Sequence, residues 1–157
     1  MSLARIYSRA QVGIQAPEVM VEVHLGNGLP AFHIVGLPEA SVKESKDRVR
    51  SALENSQFGF PDQRITVNLA PADLPKEGGR FDLAIAGGIL VASGQVVGNE
   101  LERYESYGEL ALNGEVRGVN AILPWVVTAK EQGRCCCLPA VNDSLASLVN
   151  GVTRKAV

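Results

Sequence analysis

Three groupings in the 157-residue sequence hold side chains able to do chemistry. The first is Lys76-Glu77-Gly78-Gly79-Arg80, a glycine-rich loop that opens a helix, the usual seat of a phosphate. A Walker loop needs Gly, four residues and then Gly-Lys-Ser/Thr, and here the lysine precedes the glycines, so the loop is not a P-loop. Two readings stay open: a tight turn whose glycines take a positive φ before a buried helix, or an anion or partner contact by Lys76 and Arg80. The second grouping is Lys43, Lys46 and Arg50, spaced i, i+3, i+7 on one helix face. Glu39, Glu44, Asp47 and Glu54 are interleaved with them, so a solvated face laced with ion pairs stands beside a phosphate-contacting one. The third is Cys135-Cys136-Cys137. Adjacent strand residues point to opposite faces, which places neighbouring cysteines badly for a disulfide. A metal site needs about four ligands, and His24 and His33 lie in another segment, so no metal is expected and the cysteines read as small buried hydrophobes of a reducing compartment.

The elements that must position these groups follow from periodicity. Residues 3–14 read as an edge strand or hairpin arm, and residues 19–25 and 31–35 as a hairpin about the turn Gly26-Asn27-Gly28-Leu29-Pro30. From Glu39 to Gln57 the apolar positions Ala40, Val42, Val49, Ala52 and Leu53 fall on one side at helical spacing, predicting an amphipathic helix on a sheet. Arg64 to Ala70 alternates at period two, a strand ended by Pro71. Phe81 to Ser93 is apolar almost all round and is expected to be a central, buried helix. Asn113-Gly114 joins residues 108–112 and 115–119 in a hairpin. Residues 121–132 form a third helix with Pro124 in its first turn, Cys135 to Leu138 a short buried strand, and Asp143 to Leu148 the start of a further helix. The tail from Asn150 to Val157 is polar and carries no such signal.

Length and composition describe one domain over residues 1–157, with 46% apolar and 20% charged residues, enough to bury a core without disulfides or metal. The longest apolar run, Leu83 to Ala92, is broken by Gly87 and Gly88 and is too short to cross a bilayer. The first residues lack the pattern of a secretory signal, and a cytoplasmic site is expected. Aromatic residues are 5% of the chain, against a base-stacking platform, and the net charge of −2 does not by itself advertise nucleic-acid binding.

Val35-Gly36-Leu37-Pro38-Glu39, the run from Lys43 to Leu53 and above all the block from Ile65 to Leu83 closely resemble the start of ComM/YifB proteins, magnesium-chelatase-like (ChlI-like) bacterial AAA+ ATPases, over nearly the whole chain. The resemblance implies an α/β (α+β) fold like the proteolytic domain of Lon and the C-terminal domain of RadA, a mixed sheet with β-hairpins packed against two to three main helices. It also implies an ATPase module outside this sequence that holds ATP and Mg. Lon places its serine after a Pro-Lys-Asp-Gly-Pro segment. The matching stretch here is Pro75-Lys76-Glu77-Gly78-Gly79, and Arg80 stands where the nucleophile would be. Lon's lysine position is filled by Leu123, so the Ser-Lys dyad is missing and no catalysis is expected from this chain. By the same resemblance the full-length protein is a ring-forming, hexameric, ATP-driven helicase that promotes branch migration in homologous recombination during natural transformation. Its DNA would be single-stranded or branched and weakly bound, with Lys43, Lys46, Arg50, Lys76 and Arg80 as the DNA-contacting set, and no membrane is involved. The alternative is an accessory subunit of a magnesium-chelatase-like complex that acts by protein contact.

Overall fold

The computed structural model describes residues 2–98, 101–120, 122–149 and 154–157. Strands form where burial alternates. In β1 (Ser2–Arg9), β2 (Glu18–Gly26) and β4 (Arg64–Ala70) every second residue is buried, including Ala4 and Ile6, Val19, Val21, Val23 and Leu25, and Ile65, Val67 and Leu69. With β3 (Ala31–Val35), β5 (Tyr104–Ser106), β8 (Cys135–Leu138) and β9 (Arg154–Ala156) they make a mixed seven-stranded sheet in the order β3-β4-β2-β1-β5-β8-β9. The helices are α1 (Ala40–Lys43), α2 (Ser45–Asn55), α3 (Asp82–Ala92), α4 (Ile122–Glu131) and α5 (Asp143–Ala146). A separate hairpin of β6 (Glu109–Leu110) and β7 (Val116–Arg117) turns at Asn113-Gly114, as the dipeptide predicts. Among the described residues no helix is long and apolar enough to cross a membrane.

Two strand expectations are corrected. β2 and β3 do not pair, because β4 lies between them, antiparallel to β2 (Val23 opposite Val67) and parallel to β3 (Ile34 opposite Val67). The helical segment joining β3 to β4 favours this: a parallel pair needs a long crossover, and α1–α2 supplies one. The Gly-Asn-Gly-Leu-Pro link therefore spans a strand position instead of closing a tight turn. Of the two readings of residues 3–14 the hairpin holds, since β1 pairs antiparallel with β2, and the edge does not, since β5 flanks the other side of β1. The expected helix from 39 to 57 is divided at Glu44 into α1 and α2. The tail supplies β9 on the β8 edge, while residues 150–153 of that segment lie outside the described residues.

The sheet is covered on opposite faces at its two ends. α3 packs on β1 and β2 over the main core, and it comes close only because residue 88 is glycine: a Cβ there would sit 2.5 Å from Val23 Cγ2. The expectation that α3 is buried all round is met on that side only, since Leu83, Gly87 and Leu90 are only partly buried. Glu105 pairs with Tyr7, and Cys136 with Glu105, so these residues share the face opposite Ile6. There α4 packs on β8 in a second core of Tyr107, Trp125, Val126, Cys136 and Leu138. Beyond α4 that face stays open across β1, β2, β4 and β3.

A buried arginine ties β1, β5 and the end of α4 together. Arg9 Nε and Nη2 donate to the two oxygens of Glu105 at 2.6 and 2.7 Å, Nη1 to the Ala16 carbonyl at 2.9 Å, and Nη2 also to Gln132 at 2.8 Å. The Tyr107 hydroxyl donates to Glu105 at 3.2 Å, and Arg134, paired with Glu18, stacks 3.6 Å above the Tyr7 ring centre.

Candidate functional site at the glycine-rich loop

The loop before α3 is held from three directions. Gly78, at φ +80°, gives its N–H to Ser41 Oγ at 2.8 Å. A Cβ on Gly79 would lie 2.8 Å from Glu109 Cγ. The Arg80 carbonyl accepts the Gly108 N–H at 3.1 Å, and the Gly108 carbonyl accepts that of Leu83 at 3.1 Å. The turn reading of the two glycines is met at Gly78.

Beneath the loop lies a cluster that sequence reasoning missed. The buried Asp82 carboxylate accepts Ser45 Oγ, Arg48 Nε at 2.6 Å, Arg48 Nη2 at 3.2 Å and the Leu110 N–H at 3.1 Å, which ties α2, α3 and β6 together. The Asp82 hydrogen bond raises the Arg48 pKa above its ordinary value against an opposing desolvation. The only signal in the sequence was an acid inside an otherwise apolar helix, 34 positions from its arginine.

The predicted site residues separate. Lys76 is fully buried, and its ammonium donates to the carbonyls of Gly36, at 2.6 Å, and Pro71. Burial lowers its pKa while Asp73 opposes the shift. This corrects its place among DNA-contacting cations: the charge faces inward and fixes the loop, because its stem lies between the 36–38 and 71–76 segments. Lys43 is exposed at the end of α1, whereas Lys46 and Arg50 share a face of α2 across the break at Glu44. Arg50 pairs with Glu54 at 3.2 Å and lies 4.9 Å from the Phe60 ring centre, an exposed pair of small worth that leaves it free to exchange partners.

Arg80 is half-buried at the mouth of a cleft of about 210 Å³ lined by Gly78, Gly79, Glu109, Val119 and Asn120. Its guanidinium lies 5.2 Å from the Trp125 ring centre and contacts Gln11 at 3.4 Å; burial lowers its pKa, opposed by Glu77. Leu123 stands exposed in the first turn of α4, two residues before the Trp125 that Arg80 approaches. The indole N–H of buried Trp125 has no partner among the described residues. Among the described residues the lining offers a cation, an acid, the Asn120 amide and backbone, with no hydroxyl or thiol. A nucleoside triphosphate does not fit this donor set, since the lysine is turned inward, the Gly78 N–H is taken by Ser41, and an acid opens α3.

Residues 21–142 match the family model described as subunit ChlI of Mg-chelatase. The chain is 57% identical over 150 residues to the competence protein ComM of Haemophilus influenzae and 50% identical over 151 residues to the uncharacterised protein YifB of Escherichia coli, each alignment covering 96% of this chain and 30% of the relative. It is 41% identical over 158 residues to an uncharacterised Mycobacterium tuberculosis protein, covering 100% of this chain and 31% of that one. The chain thus spans about a third of the length of these relatives. It belongs to the family of the ChlI subunit of Mg-chelatase, and within it to the ComM/YifB type.

Proposed function

We propose that this chain is a non-catalytic, Lon-like domain of a ComM-type AAA+ ATPase, and that it helps a hexameric ring to engage single-stranded or branched DNA during branch migration. The observation that carries the reading is the identity of 57% over nearly the whole chain to a competence protein. Arg80 and Leu123 at the two dyad positions support a scaffolding role, because an arginine can be neither acyl nucleophile nor neutral base and a leucine carries no proton. ATP and Mg would act in the ATPase module. The cytoplasm is the compartment where such a protein would meet DNA.

The test uses full-length protein on a branched DNA substrate with and without ATP, beside a version lacking residues 1–157. ATP-driven strand exchange that weakens when the domain is removed is expected; exchange undiminished by its removal refutes the role. The family description also favours a second reading, an accessory chelatase subunit acting by protein contact. That reading requires the protein to stimulate magnesium insertion into a porphyrin by a partner enzyme, which the DNA reading does not.

A further inference from the structure

The open sheet face carries ordered rows of outward side chains. Leu3, His24, Thr66 and His33 make one row, and Arg5, Glu22, Asn68 and Val35 the next. Arg64 stands one row beyond, opposite Gly26 and Ala31. Arg5, His24, His33 and Arg64 are all exposed. The two histidines flank Thr66, so they are two strand spacings, about 10 Å, apart. Arg5 and Arg64 each lie diagonal to His24 across an antiparallel pair, about 7–8 Å away. Four donors to an anion thus cross the face in neighbouring positions.

The acids on this face are already occupied. Glu22 lies between Arg5, at 3.7 Å, and the Asn68 amide, at 3.0 Å, and Glu18 is held by Arg134. With the buried Arg9–Glu105 pair counted, four arginines meet three glutamates on this face, and Arg64 and both imidazoles have no acid partner among the described residues. The α1–α2 surface is balanced instead: Lys43, Lys46, Arg48 and Arg50 stand among Glu39, Glu44, Asp47 and Glu54, with Arg48 and Arg50 paired. In a chain of net charge −2 the sheet face is a local positive region. Its exposed large hydrophobics, Leu3 and Val35, are on β1 and β3 with two strands between them, so it offers no continuous apolar centre for a protein partner.

We propose that this open sheet face, and not the α1–α2 surface, receives the phosphate backbone of a nucleic acid, with Arg5, His24, His33 and Arg64 as donors. The inference rests on the DNA reading above and names the surface that performs it. Backbone contact without base stacking suits a face whose aromatic residue, Tyr7, already lies beneath Arg134.

The experiment uses this chain with a labelled single-stranded oligonucleotide and its duplex, following anisotropy across a salt series. Two charge-matched variants are compared, Arg5→Glu with Arg64→Glu on the sheet and Lys43→Glu with Lys46→Glu on the helices. The sheet variant is expected to bind about tenfold or more weaker at low salt, with a salt slope shallower by about one to two, while the helix variant stays within about twofold of wild type. If circular dichroism shows the reversed sheet pair unfolding, Arg64→Gln with His33→Gln replaces it, with the same direction expected. DNA binding that survives the sheet change, or falls equally in both variants, overturns the assignment of the face and leaves the DNA reading standing. Wild-type chain that binds neither DNA at low salt removes the sheet-face proposal, whereas strand exchange by full-length protein still decides the broader reading.

Discussion

Asp82 gathers four hydrogen bonds from α2 and β6 in a place closed to water, so removing it leaves the Leu110 N–H without its acceptor and Arg48 with only the Ser41 carbonyl, Ser45 and the exposed Glu44. Asp82→Ala is expected to cost about 3–5 kcal/mol in urea unfolding, the range for breaking one side of a buried charge pair, with Asp82→Asn losing less because it keeps acceptors. Cys136 gives a second residue-scale expectation. Burial pushes its thiol up to about 11, and Tyr107, beside Glu105, is raised as well. A group whose folded pKa exceeds its unfolded one keeps its proton longer in the fold, so its contribution is complete below the unfolded value and is lost as pH rises through the folded one. For Cys136 the loss should run from 9.0 to about 11, with the urea midpoint falling across that window and falling less in Cys136→Ala. In native protein near neutral pH, Cys136 should also label more slowly with iodoacetamide than Cys135, resolved by peptide mass spectrometry, because it is fully buried and Cys135 is not.

At the scale of elements, α3 supplies a matched pair of positions. Gly88 faces the sheet, where a methyl would meet Val23, while Gly87 has nothing within 4 Å of its would-be Cβ. Gly88→Ala should destabilise by about 1–3 kcal/mol through overpacking. Gly87→Ala should stabilise by about 0.5–1 kcal/mol, since alanine loses less backbone entropy in a helix. Thermal melts of the two variants should therefore move in opposite directions, and equal shifts would show that α3 does not seat against β2 through residue 88.

At the scale of the whole molecule, Arg9 crosses from the first hairpin to β5 and the end of α4, and it ties these elements together on the α4 side of the sheet. Arg9→Met leaves Glu105 buried beside Arg134, which approaches it at only 3.3 Å, and should cost about 3–5 kcal/mol in urea unfolding. Replacing both partners with apolar residues should recover much of that loss, because the uncompensated charge is then gone. The same two-sided architecture leaves the β1–β2–β4–β3 face bare.

The sequence by itself determined the elements whose signal is local: the alternation of β4, the Asn113-Gly114 hairpin, the cysteine strand, the turn at Gly78 and α4 with Pro124 in its first turn. It also carried the family, through the block from Ile65 to Leu83. Strand order was decided only in three dimensions, because a period of two tells which side chains are buried and not which strand lies alongside. Hence β4 could enter between β2 and β3, and β1 could be interior. The direction of a long charged side chain was equally illegible. Lys76 reads like any loop lysine until Gly36 and Pro71 are brought to its ammonium, and Arg9 and Glu105 are 96 residues apart before folding makes them one buried pair. Such groups are settled by which carbonyls and carboxylates the tertiary packing delivers, since a charge removed from water is stable only where its partners are already in place.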